Sequence, residues 1–178
     1  MIKLLLTDVD GCMTDGSMYY TAAGDELKRF CVYDGMGIVM LRKAGVPCGI
    51  LTSETTEIVR HRARKLGLEY LYMGVGRQKD HGEVLRFAPA TADPVRLPFR
   101  SKLQAAQEIC DELGITLVDV CFVGDDINDV ELLRAVGMPV CPANARPEVL
   151  AVPGILCLTH KGGDGAIREL TDRLLATI

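Results

Sequence analysis

Met1-Ile2-Lys3-Leu4-Leu5-Leu6-Thr7-Asp8-Val9-Asp10-Gly11-Cys12-Met13-Thr14-Asp15-Gly16 opens the chain, and the order of its residue types decides the fold. Ile2, Leu4, Leu5 and Leu6 form an apolar run too short for a helix, which reads as a strand buried on both faces of a parallel sheet. That strand delivers Asp8 and Asp10 at its C-terminal end, where open α/β sheets place their sites. Gly11 and Gly16 then break it and permit positive backbone dihedrals. Two residues apart on an extended chain means the same side, so both carboxylates face one small volume. They repel unless a cation or a shared proton resolves them. A polar turn closing the strand accounts equally well for two lone Asp residues, so the rest of the chain must decide.

At 178 residues, 48% hydrophobic and 25% charged, the chain fits one soluble domain with a substantial core. A net charge of -4 gives no basic footprint for nucleic acid, and 5% aromatics without Trp leaves few stacking platforms for bases. The seven cysteines, Cys12, Cys31, Cys48, Cys110, Cys121, Cys141 and Cys157, form no C-x-x-C pair. Dispersed over apolar segments, they read as reduced, buried thiols of a cytoplasmic protein, with Cys12 a packing neighbour of the acidic pair. The apolar run at Leu4–Leu6 is too short for a signal peptide, and no segment approaches membrane-spanning length. The expectation is a soluble, cytoplasmic protein with no nucleic-acid or membrane partner.

Beyond Gly16, residues 17–32 read as a β-hairpin turning at Thr21-Ala22-Ala23-Gly24-Asp25, with Met18, Tyr20, Phe30 and Val32 at alternating positions. Such a projecting apolar face is either a subunit interface or a cover for its own site. Asp34 is placed as the N-cap of a helix ending at Gly45. Val46–Leu51 reads as a second buried strand ending in Thr52-Ser53-Glu54, Thr55–Leu66 as a helix, and Leu68–Met73 as a third strand. Residues 77–100, with three prolines and two short apolar runs, interrupt the rhythm and predict a short hairpin insert. Ser101 caps a helix to Leu113. Val118–Val123 is a strand ending in Gly124-Asp125-Asp126, and Ile127–Val136 a helix. Two short strands, Met138–Cys141 and Ile155–Leu158, flank a helical turn started by Pro147. A last helix runs from Ala166 to about Ala176. Alternation of strand and helix from end to end predicts an α/β doubly wound, Rossmann-like parallel sheet.

Four polar clusters fall at strand ends: Asp8 with Asp10, Thr52 with Ser53, Lys102 after the insert, and Asp125 and Asp126 with Asp129. Each alone is explained by helix capping or solvation. Lys102 fits that explanation poorly, because a cation near a helix N-terminus opposes the dipole. Together they fit phosphoryl transfer. Asp8 is an oxygen nucleophile whose charge must approach a phosphate dianion, and a hard cation with one ammonium relieves that repulsion. Asp8 and Asp125 would hold Mg²⁺, and Lys102 and the Thr52 hydroxyl the phosphoryl oxygens. Asp10 would protonate the leaving alcohol and then activate water. Zinc is disfavoured by the oxygen-only ligand set.

Asp8-Val9-Asp10-Gly11 with Thr14-Asp15-Gly16, Leu51-Thr52, Lys102, and Gly124-Asp125-Asp126-Ile127-Asn128-Asp129 resemble, in order, the four motifs of the haloacid dehalogenase superfamily. The resemblance implies a Mg²⁺-dependent phosphatase with an aspartyl-phosphate intermediate on Asp8. It implies a metal contact from the Asp10 backbone carbonyl, Asp125 as second carboxylate ligand, and Asp126 supporting Lys102 and the metal waters. The gaps between motifs leave no room for a large cap domain. The hairpin entry, Tyr33-Asp34-Gly35-Met36-Gly37-Ile38 and Gly162-Gly163-Asp164-Gly165-Ala166-Ile167-Arg168-Glu169 resemble the capless branch of octulosonate 8-phosphate phosphatases and their nine-carbon relatives. That branch implies a sugar-acid phosphate substrate and a homotetramer with hairpins packed together.

The chain departs from the octulosonate pattern after Thr52, where Ser53-Glu54-Thr55 replaces the usual basic residues. Glu54 favours the relatives acting on nine-carbon KDN or N-acylneuraminate 9-phosphates, with Arg62 and Lys65 available to pair with the substrate carboxylate. A solvated basic helix face is the alternative for those two. Lys79, inside the insert, is a rival to Lys102 for the phosphate. His61, His81 and His160 lack metal spacing. A signalling receiver domain would carry its acceptor Asp after the third strand, where Met73-Gly74 stands instead. A phosphatase of another small phosphomonoester on the same machinery, and a scaffold that keeps the fold without turnover, are the remaining alternatives.

Overall fold

The structure, a computed structural model, describes residues 1–76 and 83–178; Lys79 and His81 lie outside the described residues. Strand β1 (Leu4–Thr7) is buried throughout. Leu5 packs into the core on one face of the sheet, while Leu4 and Leu6 pack into that on the other. A two-stranded hairpin follows, β2 (Tyr19–Tyr20) and β3 (Glu26–Leu27), antiparallel and separate from the main sheet. It is shorter than its alternation predicts. Phe30 leaves it to pack against the core, and Val32 opens helix α1 (Val32–Lys43).

Asp34 is therefore not the N-cap of α1. Cys31 holds that position, without a side-chain cap, and Asp34 lies buried in the first turn. Strand β4 (Cys48–Thr52) leads to helix α2 (Glu57–Leu66), capped by Thr56, whose Oγ1 accepts the Ile58 N–H. Strand β5 (Tyr70–Met73) comes next. In the insert, β6 (Val84–Phe87) and β7 (Val95–Leu97) form the expected hairpin, which pairs antiparallel with β5 and prolongs the sheet.

Helix α3 (Lys102–Leu113) starts in a capping box. The Ser101 hydroxyl accepts the Gln104 N–H at 3.2 Å, and the Gln104 side chain accepts the Ser101 N–H at 2.9 Å. Gly114, in the left-handed conformation, ends it. Strand β8 (Val120–Val123) follows a 3₁₀ turn. The helix expected over 127–136 splits into a 3₁₀ turn, Ile127–Asp129, and the short α4 (Val130–Leu133). The tight turn is set by the Asp129 carboxylate, which bonds back to the backbone of Asp125 and Asp126. Strand β9 (Met138–Cys141), helix α5 (Pro147–Leu150), strand β10 (Leu156–Cys157) and helix α6 (Ala166–Leu175) complete the chain.

The eight-stranded sheet has the order β10-β9-β8-β1-β4-β5-β6-β7, parallel from β10 to β5. Helices α1, α2 and α6 cover one face, and α3, α4 and α5 the other. This is the doubly wound arrangement expected. Because the chain runs from β1 outward through β4, then returns to β8 on β1's other side, β1 and β8 flank the topological switch point. Thr7 pairs with Val123 in register, so the segments beginning at Asp8 and Gly124 emerge side by side. Among the described residues no helix is long and apolar enough to cross a membrane.

Candidate active site

A cleft of about 240 Å³ opens at the C-terminal ends of β1, β4 and β8. Asp8, Asp10, Gly11, Gly16, Thr52, Ser53, Glu54, Asp125, Asp126 and Asn128 line it. Carboxylate oxygens of Asp8, Asp125 and Asp129 lie within 4.8 Å of one another. Three acidic groups that close need a compensating cation, and Lys102 supplies one. Its ammonium, 3% exposed, sits 2.9 Å from Asp8 Oδ2 and 2.6 Å from Asp129 Oδ1. Burial alone would lower the Lys102 pKa, yet the two carboxylates more than offset it, and the ammonium is held charged.

Asp129 spends both oxygens structurally. Oδ1 accepts from Lys102, and Oδ2 accepts the backbone N–H groups of Asp125 at 3.0 Å and Asp126 at 3.2 Å. Asp126 instead accepts the Ile127 N–H and faces the cleft. The support of Lys102 thus falls to Asp129 rather than to Asp126. The difference between these two acids, three positions apart, is set by the 3₁₀ turn, which turns Asp129 inward.

Asp8 and Asp125 keep carboxylate oxygens that could hold a metal ion. Asp8 Oδ1 is buried without a hydrogen-bond partner, an orphaned acceptor that a cation would satisfy. Burial pushes the Asp8 pKa up to about 6 against the pull of Lys102, with Asp129 adding to the rise. Burial, then the charges of Asp8 and Asp129, push Asp125 up to about 7. Two carboxylates made reluctant to ionise, at the open side of a water-accessible cleft, fit a hard divalent cation that keeps several waters, as Mg²⁺ does. The Cys12 thiol, 3.5 Å from Asp125 Oδ1, is itself pushed well above the usual range by burial and these acids, so it stays neutral.

The Thr52 hydroxyl accepts the Glu54 N–H at 3.1 Å, which leaves its proton free to donate into the cleft. Ser53 donates to the Val75 carbonyl at 2.9 Å and receives Asn128 Nδ2 at 3.4 Å, tying the β4 loop to the β8 loop. Glu54 lies on the cleft wall. Arg62 and Lys65 are not among its lining residues. The Arg62 guanidinium donates to the Cys31 carbonyl at 3.1 Å and lies 5.2 Å from the Phe30 ring, while Lys65 is exposed on α2.

Several contributors carry no sequence signal of their own. Gly11 reads as a strand breaker, but at φ 81° a side chain there would put a Cβ 2.0 Å from Asp125 Oδ2, so its absence makes room for the Asp125 carboxylate. Asn144 donates to the Gly11 carbonyl at 3.0 Å and accepts the Gly162 N–H at 2.7 Å, stitching the Asp10 loop to the start of α6. A Cβ on Gly162 would lie 1.9 Å from that carbonyl.

The model of the haloacid dehalogenase-like hydrolase family matches residues 95–170. The 3-deoxy-D-manno-octulosonate 8-phosphate phosphatase of Salmonella typhi is 34% identical over 175 residues, covering 98% of this chain and 79% of that protein. The chain belongs to the haloacid dehalogenase-like hydrolases. A probable YrbI family phosphatase of Pseudomonas syringae has a similar structure, with TM-score 0.82 and 32% identity over 98% of this chain and 85% of that one. The octulosonate 8-phosphate phosphatase of Moraxella catarrhalis, solved with magnesium, phosphate and KDO, has TM-score 0.81 and 30% identity over 98% and 86%. Among the described residues of this haloacid dehalogenase-like hydrolase, no large cap stands over the cleft. Its paired carboxylates suit the magnesium ion found in the Moraxella structure.

Proposed function

We propose that this hydrolase removes the terminal phosphate of a 2-keto-3-deoxy sugar acid, with Mg²⁺ and through an aspartyl phosphate on Asp8. The observation that carries the reading is Asp8 itself. One of its oxygens lies 2.9 Å from Lys102, the other is buried and unpartnered, and an Asp8 oxygen lies within 4.8 Å of one of Asp125. Asp8 and Asp125, with the Asp10 backbone carbonyl, would hold the ion. Bound there, Mg²⁺ would offset the phosphate charge that otherwise repels the Asp8 carboxylate.

An Asp8 oxygen attacks phosphorus as the bond to the leaving sugar oxygen breaks, and Asp10 gives that oxygen its proton. Lys102 has two of its three donors on Asp8 and Asp129, and the third, with the Thr52 hydroxyl, would meet phosphoryl oxygens. Asp10 then takes a proton from the water that attacks the acyl phosphate, and phosphate leaves with Asp8 restored. Asp129, Ser53 and Asp126 hold the frame, the first through Lys102.

Among the sugar acids, the eight-carbon octulosonate 8-phosphate is favoured, since the similar phosphatases are named for it. Glu54 on the cleft wall favours a second reading, a nine-carbon KDN or N-acylneuraminate 9-phosphate. That reading is weakened because Arg62 and Lys65, the partners expected for the nine-carbon acid's carboxylate, lie off the cleft. The enzyme would work in the cytoplasm as a homotetramer. The test is phosphate release with Mg²⁺ from the octulosonate 8-phosphate and the two nonulosonate 9-phosphates. A clear octulosonate preference is expected. A nine-carbon preference would assign selectivity to Glu54, and no release from any of them would defeat the substrate class. Asp8→Asn should abolish turnover while leaving the circular dichroism spectrum unchanged, and retained turnover would defeat the covalent step. Removing Mg²⁺ with a chelator should stop release, and added Mg²⁺ should restore it.

A further inference from the structure

Lys28, on the strand-to-helix segment after β3, is a buried cation that the mechanism above does not use. Its side chain is 1% exposed, and its ammonium lies 2.7 Å from Asp10 Oδ1 and 3.0 Å from Glu26 Oε1. Its place matters because of what it grips. The Asp10 carboxylate is 31% exposed and lines the cleft, and its contacts among the described residues, from Lys28 and more distantly from Thr14 Oγ1 at 3.5 Å, both end on Oδ1.

A carboxylate that transfers a proton must present one oxygen in one place, and an unanchored Asp side chain samples several rotamers. Fixing Oδ1 leaves Oδ2 as the working oxygen. The same contact ties the hairpin to the catalytic loop. On its far side, Arg29 bonds Asp164 at 2.6 Å and Asp15 at 3.3 Å, and Tyr19 bonds Asp15 at 2.6 Å. The segment carrying Lys28 is thereby held on two sides.

We infer that Lys28 is a positioning residue for proton transfer by Asp10: it anchors Oδ1 so that Oδ2 meets the leaving oxygen. The inference rests on Asp10 being the acid that protonates the leaving group, and the experiment separates the two. A positioned acid matters for a leaving group that must receive a proton and little for one that departs as a stable anion. The measurement is kcat/KM with Mg²⁺ for phenyl phosphate and 2,4-dinitrophenyl phosphate, a pair that makes no demand on the sugar pocket. The enzymes compared are wild type, Asp10→Asn, Lys28→Met, Lys28→Arg and Glu26→Gln.

Asp10→Asn should lose on the order of 10²-fold or more on phenyl phosphate and far less on the dinitrophenyl ester. Lys28→Met should show the same asymmetry at about tenfold, as expected when an acid is displaced rather than removed. Lys28→Arg, which can still reach Oδ1, should recover most of it. Glu26→Gln, which leaves the Lys28–Asp10 contact in place, should show no asymmetry. An equal loss on both esters in Lys28→Met, or none, overturns the inference while the Asp10 result stands. If Asp10→Asn shows no asymmetry, the acid role fails and the inference with it. Should Lys28→Met not fold, Lys28→Gln, which keeps a long side chain without the charge, takes its place: asymmetry there with none in Glu26→Gln supports the inference, and an equal loss on both esters overturns it.

Discussion

Lys102 stands between two buried carboxylates, so its removal does more than weaken phosphate binding. Lys102→Met leaves the buried charges of Asp8 and Asp129 without their cation, and breaking a buried pair of this kind costs about 3–5 kcal/mol. Urea unfolding without Mg²⁺ should show that loss, and turnover should vanish with it; a variant as stable as wild type would mean that the ammonium does not balance the site. Gly11→Ala probes the other side of the cleft. At φ 81°, with its Cβ driven toward Asp125 Oδ2, it should weaken Mg²⁺ binding about 10–100-fold, read by titration calorimetry. Unchanged affinity would remove Asp125 from the ligand set. At this scale the acids were legible because strand ends announce them: Asp8, Asp10 and Asp125 each follow an apolar run. Which acid supports Lys102 was not, since Asp126 and Asp129 differ only in how a tight turn rotates them. Lys28 gave no signal, because a lysine on an exposed hairpin looks like any solvated one until its partner is seen.

Helix α6 begins at Gly165, which has no side chain to cap it. Asp34 of α1 does so from across the interface, its Oδ1 accepting the Arg168 N–H at 2.8 Å. The sequence marked Asp34 as a cap, and it caps, but the helix it serves lies 134 residues away. Local patterning cannot supply that, because a cap is recognised by the turn it precedes. Asp34→Ala should lower stability by about 1–2 kcal/mol, measured by denaturation, and should loosen amide exchange at the start of α6. Loosening at α1 instead would return Asp34 to its own helix. A second link joins α1 to β5: Arg42 bonds the Glu69 carboxylate through Nε at 2.7 Å, and Glu69 also accepts the Cys48 N–H at 2.9 Å. Burial raises the Glu69 pKa, but these hydrogen bonds outweigh it and hold the group below the ordinary glutamate value. Folding therefore favours the ionised form. The contribution is complete above the unfolded value, about 4.3, and is lost as pH falls through the lower folded value. The stability gap between wild type and Glu69→Gln should be widest near neutrality and close in acid. A gap independent of pH would show that the carboxylate charge contributes nothing.

At the scale of the molecule, strand-helix alternation made the class of the fold readable, while the order of strands was not. The sequence cannot say that β8 returns to lie beside β1, because that depends on how the helices on both faces pack. Nor does it say that the insert continues the sheet rather than covering the site. With β6 and β7 spent on the sheet edge, the described part of the insert leaves the cleft open, and the apolar surface lies elsewhere. Tyr20 is 63% exposed on the hairpin, and Val32 and Tyr33 are 76% and 70% exposed at the start of α1. Met18, Leu27 and Met36 are also exposed on these same two elements. Scattered apolar residues need no explanation, but six on two consecutive elements form a surface that solvent alone does not stabilise. A second copy offering the same face would bury it isologously. Sedimentation should then find wild type well above the 19.4 kDa of one chain, and Tyr20→Glu with Val32→Glu close to it, since charges placed in an apolar contact cannot be desolvated cheaply. The doubly substituted chain should keep its folded spectrum, because neither side chain is part of the core. If wild type itself sediments as a single chain, these residues do not serve self-assembly, and the homotetramer falls with them.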